Sequence, residues 1–163
     1  MESLAIHVGA ALKAHGLMLA TAESCTGGGV AQAITGIAGS SAWFERGFIT
    51  YSNLSKQQML GVAEATLIAQ GAVSEATVRA MVAGALQHSA AQVALAVSGI
   101  AGPDGGTPDK PVGTVWFAWG LKNGTTFARL HQLRGNRAEV RARAVRIALQ
   151  GVLELLQQTT ASA

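Results

Sequence analysis

Apolar positions recur along this chain in two ways, at helical spacing in some stretches and as short unbroken runs in others, and their alternation predicts the elements. Leu4, Val8, Ala11 and Leu12 lie three or four residues apart, and Gly16 stands where a left-handed residue would close a helix. The pattern predicts a first helix from about Glu2 to His15. The run "LMLAT" then predicts a short apolar strand leading directly into Glu23-Ser24-Cys25-Thr26. Val30, Ala33, Ile34 and Ile37 return to helical spacing, so the stretch "TAESCTGGGV" is a strand-to-helix turn.

The same reading continues downstream. "GFITYS" predicts a strand ending near Tyr51, and "NLSKQQML" predicts a helix immediately after it. Gly71 closes a further helix, and Ser74 is the expected N-cap of one that carries Val78, Met81, Val82, Ala85 and Leu86. "QVALAVSG" has the composition of a buried strand and empties into "GIAGPDGGTPDKPVG", which is too rich in Gly and Pro for regular structure. "TVWFAWG" and "TTFARLHQL" flank Asn123-Gly124, a strong hairpin signal. Asn136 and Glu139 have the spacing of a capping pair, followed by a long helix with Val140, Ala144, Ile147, Val152 and Leu155 on its inner side. Helices alternating with strands, with a hairpin late in the chain, predict an α/β fold: one domain over residues 1–163, three layers α/β/α, around a mixed, mostly parallel sheet. Ligands in that class bind at the carboxyl ends of strands, which singles out Glu23 to Thr26, Tyr51 to Lys56 and the loop after Ser98.

Composition narrows the picture. The 163 residues are 49% hydrophobic and only 13% charged, with 20 glycines, which describes a folded domain with a core of Ala, Val, Leu and Ile. No run of about 18 apolar residues occurs and no basic residues precede the first apolar run, so no membrane association is expected and the expected location is the cytoplasm. The single Cys25 has no partner for an internal disulfide. The net charge is +3, yet six arginines fall between Arg129 and Arg146. Stacking aromatics are absent from that cluster, so no nucleic acid partner is expected and a small anionic metabolite fits it better. A homo-oligomer is expected, with Trp43, Phe44, Trp116 and Trp119 as candidate contact residues.

Three strand ends carry the candidate chemistry. A serine hydroxyl needs a base, and His7, His15 and His88 lie in predicted helices away from the strand ends, leaving only His131 with some claim. A lysine of lowered pKa can serve instead, and Lys56 follows a strand end that could lie beside Ser24. Tyr51 could relay a proton or orient that lysine. The amides around Thr26, Gly27 and Gly28 offer an oxyanion or phosphate site, and Glu23 could orient a ligand. Gly102 and Thr107, with Asp104 and Lys110, belong to a loop long enough to contact a substrate, and Arg137 and Arg141 project together from the last helix toward a phosphate. Each also has an ordinary explanation: Ser24 or Thr26 as a helix cap, Cys25 as a small buried side chain, Lys56 and the arginines as solvated residues. The loop matches neither the dinucleotide nor the phosphate-loop pattern, the histidines lack metal-binding spacing, and no metal or cofactor is expected.

At "TAESCTGG", "IAGSSAWFERGFITYSNLSKQQMLGV", "GAVSE", "VSGIAGPDGGTPDKPVGTVWFAW" and "GNRAEVRARAV" the sequence resembles the C-terminal domain of the CinA competence/damage-inducible proteins. The resemblance implies hydrolysis of the carboxamide of nicotinamide mononucleotide to nicotinate mononucleotide and ammonia, in pyridine-nucleotide salvage. It also implies a serine–lysine mechanism, with Ser24 as nucleophile, Lys56 as base and Tyr51 beside them. Asn136 stands where the family often has Asp, which leaves helix capping possible and removes any ion pair or ligand contact made by that Asp. A non-catalytic nucleotide-binding module and a thiol enzyme using Cys25 are the competing readings. They differ in whether ammonia is released, and in whether Ser24→Ala or Cys25→Ala stops it.

Overall fold

The structure, a computed structural model, describes residues 1–162. Five strands, β1 (Leu19–Glu23), β2 (Phe44–Ile49), β3 (Val93–Gly99), β4 (Thr114–Leu121) and β5 (Thr126–Gln132), form one sheet in the order β2-β1-β3-β4-β5. β1 pairs in parallel with both β2 and β3, while β3–β4 and β4–β5 are antiparallel, so four of the five strands run in one direction. The sheet is mixed as expected, and its antiparallel part is β4, which pairs with β3 on one side and with β5 across the late hairpin, where Gly124 takes φ +102° at the tip. Six helices cover it: α1 (Glu2–Ala14), α2 (Gly29–Thr35), α3 (Asn53–Leu60), α4 (Glu64–Gln70), α5 (Glu75–Gln87) and α6 (Arg137–Ser162).

The two faces of the sheet are built differently, and the alternation along each strand decides which helix can approach. Leu19, Val93, Leu95, Val97, Val115, Phe117 and Trp119 point toward α1, α2 and α6. Ala20, Ala22, Ala94, Ala96 and Ala118 point the other way, toward α3, α4 and α5. A layer of methyl groups lets α5 settle close to the sheet, with Val78, Met81, Val82 and Ala85 fully buried against it.

The helix following β1 and the helices following β2 therefore lie on opposite faces. The crevice between them opens at the carboxyl ends of β1, β2 and β3, the place this architecture reserves for ligands.

Two aromatic expectations are corrected by burial. Trp43 is 2% exposed against Gly9 of α1, and Trp119 is 1% exposed with its indole N–H donating to the Ala148 carbonyl over Gly151. Indole rings this large go to the core because each finds a glycine on the facing helix, so neither is free for a subunit contact. The strand boundaries also move. β1 starts two residues later than the apolar run suggests, since Met18 donates to the Gln92 side chain while Leu19 joins the ladder through the Trp43 carbonyl. β2 reaches back to Phe44 through the polar Glu45 and Arg46, which an edge strand tolerates on its open side.

Candidate active site

Strand alternation places Ser24 before any loop does. Ala20 and Ala22 face α5, so the next residue of that parity, Ser24, projects to the same side. Its amide donates to the Val97 carbonyl at 3.0 Å, and the Thr50 amide donates to the Glu23 carbonyl at 2.8 Å. The first bend is thus fastened to both neighbouring strand ends.

Lys56 arrives from the second bend. Ser52 caps α3 by accepting from the Ser55 amide at 3.0 Å, and Gly61 at φ +69° ends the helix, which holds Lys56 in the middle of a two-turn element. The side chain is only 1% exposed. Its Nζ lies 3.0 Å from Ser24 Oγ, 2.7 Å from the Thr50 carbonyl and 3.4 Å from the Tyr51 carbonyl. A neutral amine has two hydrogens and one lone pair. Two carbonyls can take the hydrogens, which leaves the lone pair for the serine hydroxyl.

Burial moves Lys56 toward that neutral form, which becomes the major one above about pH 8. Among the described residues no carboxylate pairs with Lys56, and burial lowers its pKa from the ordinary 10.5 to about 8. Burial has the opposite consequence for Cys25. Its thiol is pushed up to about 11, so it stays protonated at neutral pH and is a poor nucleophile.

The other expected residues divide between the cleft and its frame. A cleft of about 180 Å³ is lined by Ser24, Cys25, Tyr51, Lys56, Ser98 and Arg137, with Ala72 and Val73 forming part of the wall. Arg137 crosses its mouth, donating to the Gly102 carbonyl at 2.8 Å and to the Tyr51 phenol oxygen at 3.2 Å. Tyr51 is 63% exposed, and it is its backbone carbonyl, not its phenol, that reaches Lys56.

Glu23 lies beneath the turn. Its carboxylate accepts from the Thr26 hydroxyl at 2.6 Å and from the Val30 and Ala31 amides at 2.8 and 3.0 Å, which uses both oxygens internally. It fixes the start of α2, where a carboxylate is favourable, and does not line the cleft. Gly27 and Gly28 take φ +59° and +102°, values that side chains rarely adopt, and the Gly27 amide is already given to the Ser24 carbonyl.

Thr107 is exposed and closes a turn within the long loop, its hydroxyl accepting from the Lys110 amide at 3.0 Å. Lys110 in turn donates to the Gln70 carbonyl. Arg141 lies on the far side of the Ser24–Gly28 turn, along a separate groove between α2 and α6. Arg137 and Arg141 therefore do not converge on one anion. His131 packs edge-on against Phe117 at 5.4 Å and lines no part of the cleft.

Ser98 was missed, although its signal was present. It has the parity of Ala94 and Ala96 on β3, is 1% exposed, and lines the same cleft as Lys56. Among the described residues no three or more His, Cys, Asp or Glu gather as a metal site would need, and no helix is long and apolar enough to cross a membrane.

The profile of the CinA C-terminal domain matches residues 1–156. The nicotinamide-nucleotide amidohydrolase PncC of Escherichia coli K12 is 55% identical over 160 residues, covering 98% of this chain and 97% of that protein. The protein of the same name from Pseudomonas putida is 52% identical, covering 95% and 96%. The crystal structure of a competence/damage-inducible protein from Agrobacterium tumefaciens superimposes with a TM-score of 0.92 at 47% identity, over 94% of each chain. By sequence over nearly its whole length and by fold, this chain belongs to the CinA C-terminal domain family.

Proposed function

We propose that the protein hydrolyses the carboxamide of nicotinamide mononucleotide, giving nicotinate mononucleotide and ammonia in pyridine-nucleotide salvage, with Ser24 as nucleophile and Lys56 as base. The observation that carries the mechanism is the Lys56 amine, buried without a carboxylate and 3.0 Å from the Ser24 hydroxyl at the floor of the cleft. Near full-length relatives named nicotinamide-nucleotide amidohydrolase support the substrate.

In the forward step the Lys56 lone pair takes the Ser24 proton as Oγ attacks the amide carbon. Negative charge then develops on the carbonyl oxygen, and backbone amides of the Ser24–Gly28 turn stabilise it. The ammonium of Lys56 returns the proton to the leaving nitrogen, ammonia departs, and an ester to Ser24 remains. Lys56, neutral again, draws a proton from water as the water oxygen attacks the ester carbon; the bond to Ser24 Oγ then breaks, Lys56 returns the proton to Oγ, and nicotinate mononucleotide is released. Arg137, at the cleft mouth, is placed to meet the 5′-phosphate, and Tyr51 beside it offers an exposed ring edge to the ribose or base. Ser98 faces the same space and offers a hydroxyl to the carboxamide.

A thiol mechanism is disfavoured by the raised pKa of Cys25. Cytoplasmic location and a homo-oligomeric state belong to this proposal. The exposed Ile49, Tyr51 and Leu54, close together along the chain, support a contact with another copy, which sedimentation would test.

The deciding experiment is ammonia release from the mononucleotide by wild type, Ser24→Ala and Cys25→Ala. Ser24→Ala should lose at least about a thousandfold in kcat while still binding substrate, and Cys25→Ala should retain turnover. Normal turnover by Ser24→Ala removes the nucleophile assignment. Loss confined to Cys25→Ala moves the chemistry to the thiol.

A further inference from the structure

Among the described residues Arg141 donates two hydrogen bonds, and both go to the turn that carries the nucleophile. Its Nε donates to the Cys25 carbonyl at 3.1 Å and its Nη2 to the Thr26 carbonyl at 3.2 Å. The guanidinium comes from α6, on the face of the sheet opposite α3 and Lys56. Gly27 lets it lie flat there, since a Cβ at that position would come within 3.3 Å of Nη2.

The Cys25–Thr26 peptide is trans, as is every peptide except Gly102–Pro103, and a trans peptide points its C=O and N–H in opposite directions. Holding the Cys25 carbonyl toward α6 therefore turns the Thr26 N–H away from α6, to the side of Ser24 and Lys56. No backbone carbonyl takes that N–H among the described residues, whereas the neighbouring Gly27 amide is already bound to the Ser24 carbonyl. A cation on the carbonyl end also polarises the peptide and makes its N–H a stronger donor.

We infer that Arg141 is a positioning residue: it clamps the Cys25 and Thr26 carbonyls so that the Thr26 amide is aimed at the oxyanion formed when Ser24 attacks, and it does not bind the substrate phosphate. The inference rests on the Ser24 reading above. Glu23 grips the same turn by its opposite polarity, accepting the Thr26 hydroxyl and the first amides of α2. Glu23 and Arg141 thus both hold the bend, and the Thr26 amide, given to no backbone carbonyl among the described residues, is left turned away from α6.

An oxyanion donor is used in the transition state more than in the bound substrate, which separates this role from phosphate binding. Arg141→Ala should lower kcat about a hundredfold, with KM unchanged within about twofold for both nicotinamide mononucleotide and nicotinamide riboside. Added guanidinium chloride at non-denaturing concentration should restore part of kcat in Arg141→Ala and none in Ser24→Ala. Arg141→Lys, which keeps the charge but not the two-pronged geometry, should fall between, and it serves if the alanine variant does not fold. A KM rise confined to the mononucleotide with kcat retained assigns Arg141 to the phosphate and overturns the inference, as does an Arg141→Ala enzyme with full kcat. If those results accompany an inactive Ser24→Ala, the clamp alone is lost. A Ser24→Ala enzyme as fast as wild type removes the parent reading and the clamp with it.

Discussion

Lys56 sits among carbonyl and hydroxyl oxygens and no opposite charge, and its behaviour with pH follows from that. Turnover needs the neutral amine, so kcat/KM should rise as pH climbs through about 8 and then level off, roughly tenfold above its pH 7 value. Stability follows the same titration. Below about 8 both folded and unfolded chains carry the proton, and the folded state bears the full desolvation cost. Between about 8 and 10.5 the folded chain has released a proton that the unfolded chain still binds, so unfolding free energy should increase with pH across that window. Lys56→Met should abolish turnover, exceed wild-type stability at pH 7 by roughly 1–3 kcal/mol, and lose that advantage by pH 10.5. Urea melts of both proteins at pH 7 and 10 check this, and a constant difference would show that Lys56 keeps an ordinary pKa. The sequence offers Lys56 in "NLSKQQML" both as a base of lowered pKa and as a solvated helical lysine, and only packing decides between the two. Burial is a property of what packs over a residue, and α3 is covered only once α5 has docked.

At the scale of elements, that docking depends on a close approach. A Cβ on Gly84 of α5 would fall 1.9 Å from the Leu60 carbonyl at the end of α3, so the two helices cross with no room for a methyl group. Gly84→Ala should cost on the order of 1–3 kcal/mol and, by pushing α3 outward, reduce kcat through Lys56 even though residue 84 is remote from substrate. Thermal melts with parallel kinetics would test it, and unchanged values for both would show that α3 can shift freely. The start of α6 is a complete capping box: Asn136 Oδ1 accepts from the Glu139 amide at 2.9 Å and Glu139 Oε1 accepts from the Asn136 amide at 3.0 Å. Asn136→Ala should cost about 1 kcal/mol, whereas Asn136→Asp should be neutral or mildly stabilising because the carboxylate keeps the cap and favours the helix start. A melting-temperature loss for Asp equal to that for Ala would contradict this account. Caps such as this one, the Ser74 cap and the Asn123-Gly124 turn were readable because their partners lie within a few residues.

Across the whole molecule, the cleft is assembled from the first bend, the second bend, the end of β3 and the start of α6, so binding should be felt by the fold as a unit. Ser24→Ala with nicotinamide mononucleotide at a hundred times its Kd should unfold with about 2.7 kcal/mol more free energy than without it. Arg137→Ala added to that variant should weaken the mononucleotide more than the riboside, and equal weakening would place the phosphate elsewhere. Whatever near neighbours govern could be read from the chain: the order of helices and strands, their caps and turns, the α/β class, the three strand ends where chemistry had to gather, and the family to which those motifs belong. Tertiary structure alone decided that Glu23 braces the turn from beneath, that Thr107 serves its own loop, that Ser98 shares the cleft, and that two arginines one helical turn apart stand on opposite sides of the nucleophile. The reason is geometric. Periodicity tells which face of an element is buried, but the direction and protonation of a polar side chain depend on atoms brought to it from a hundred residues away.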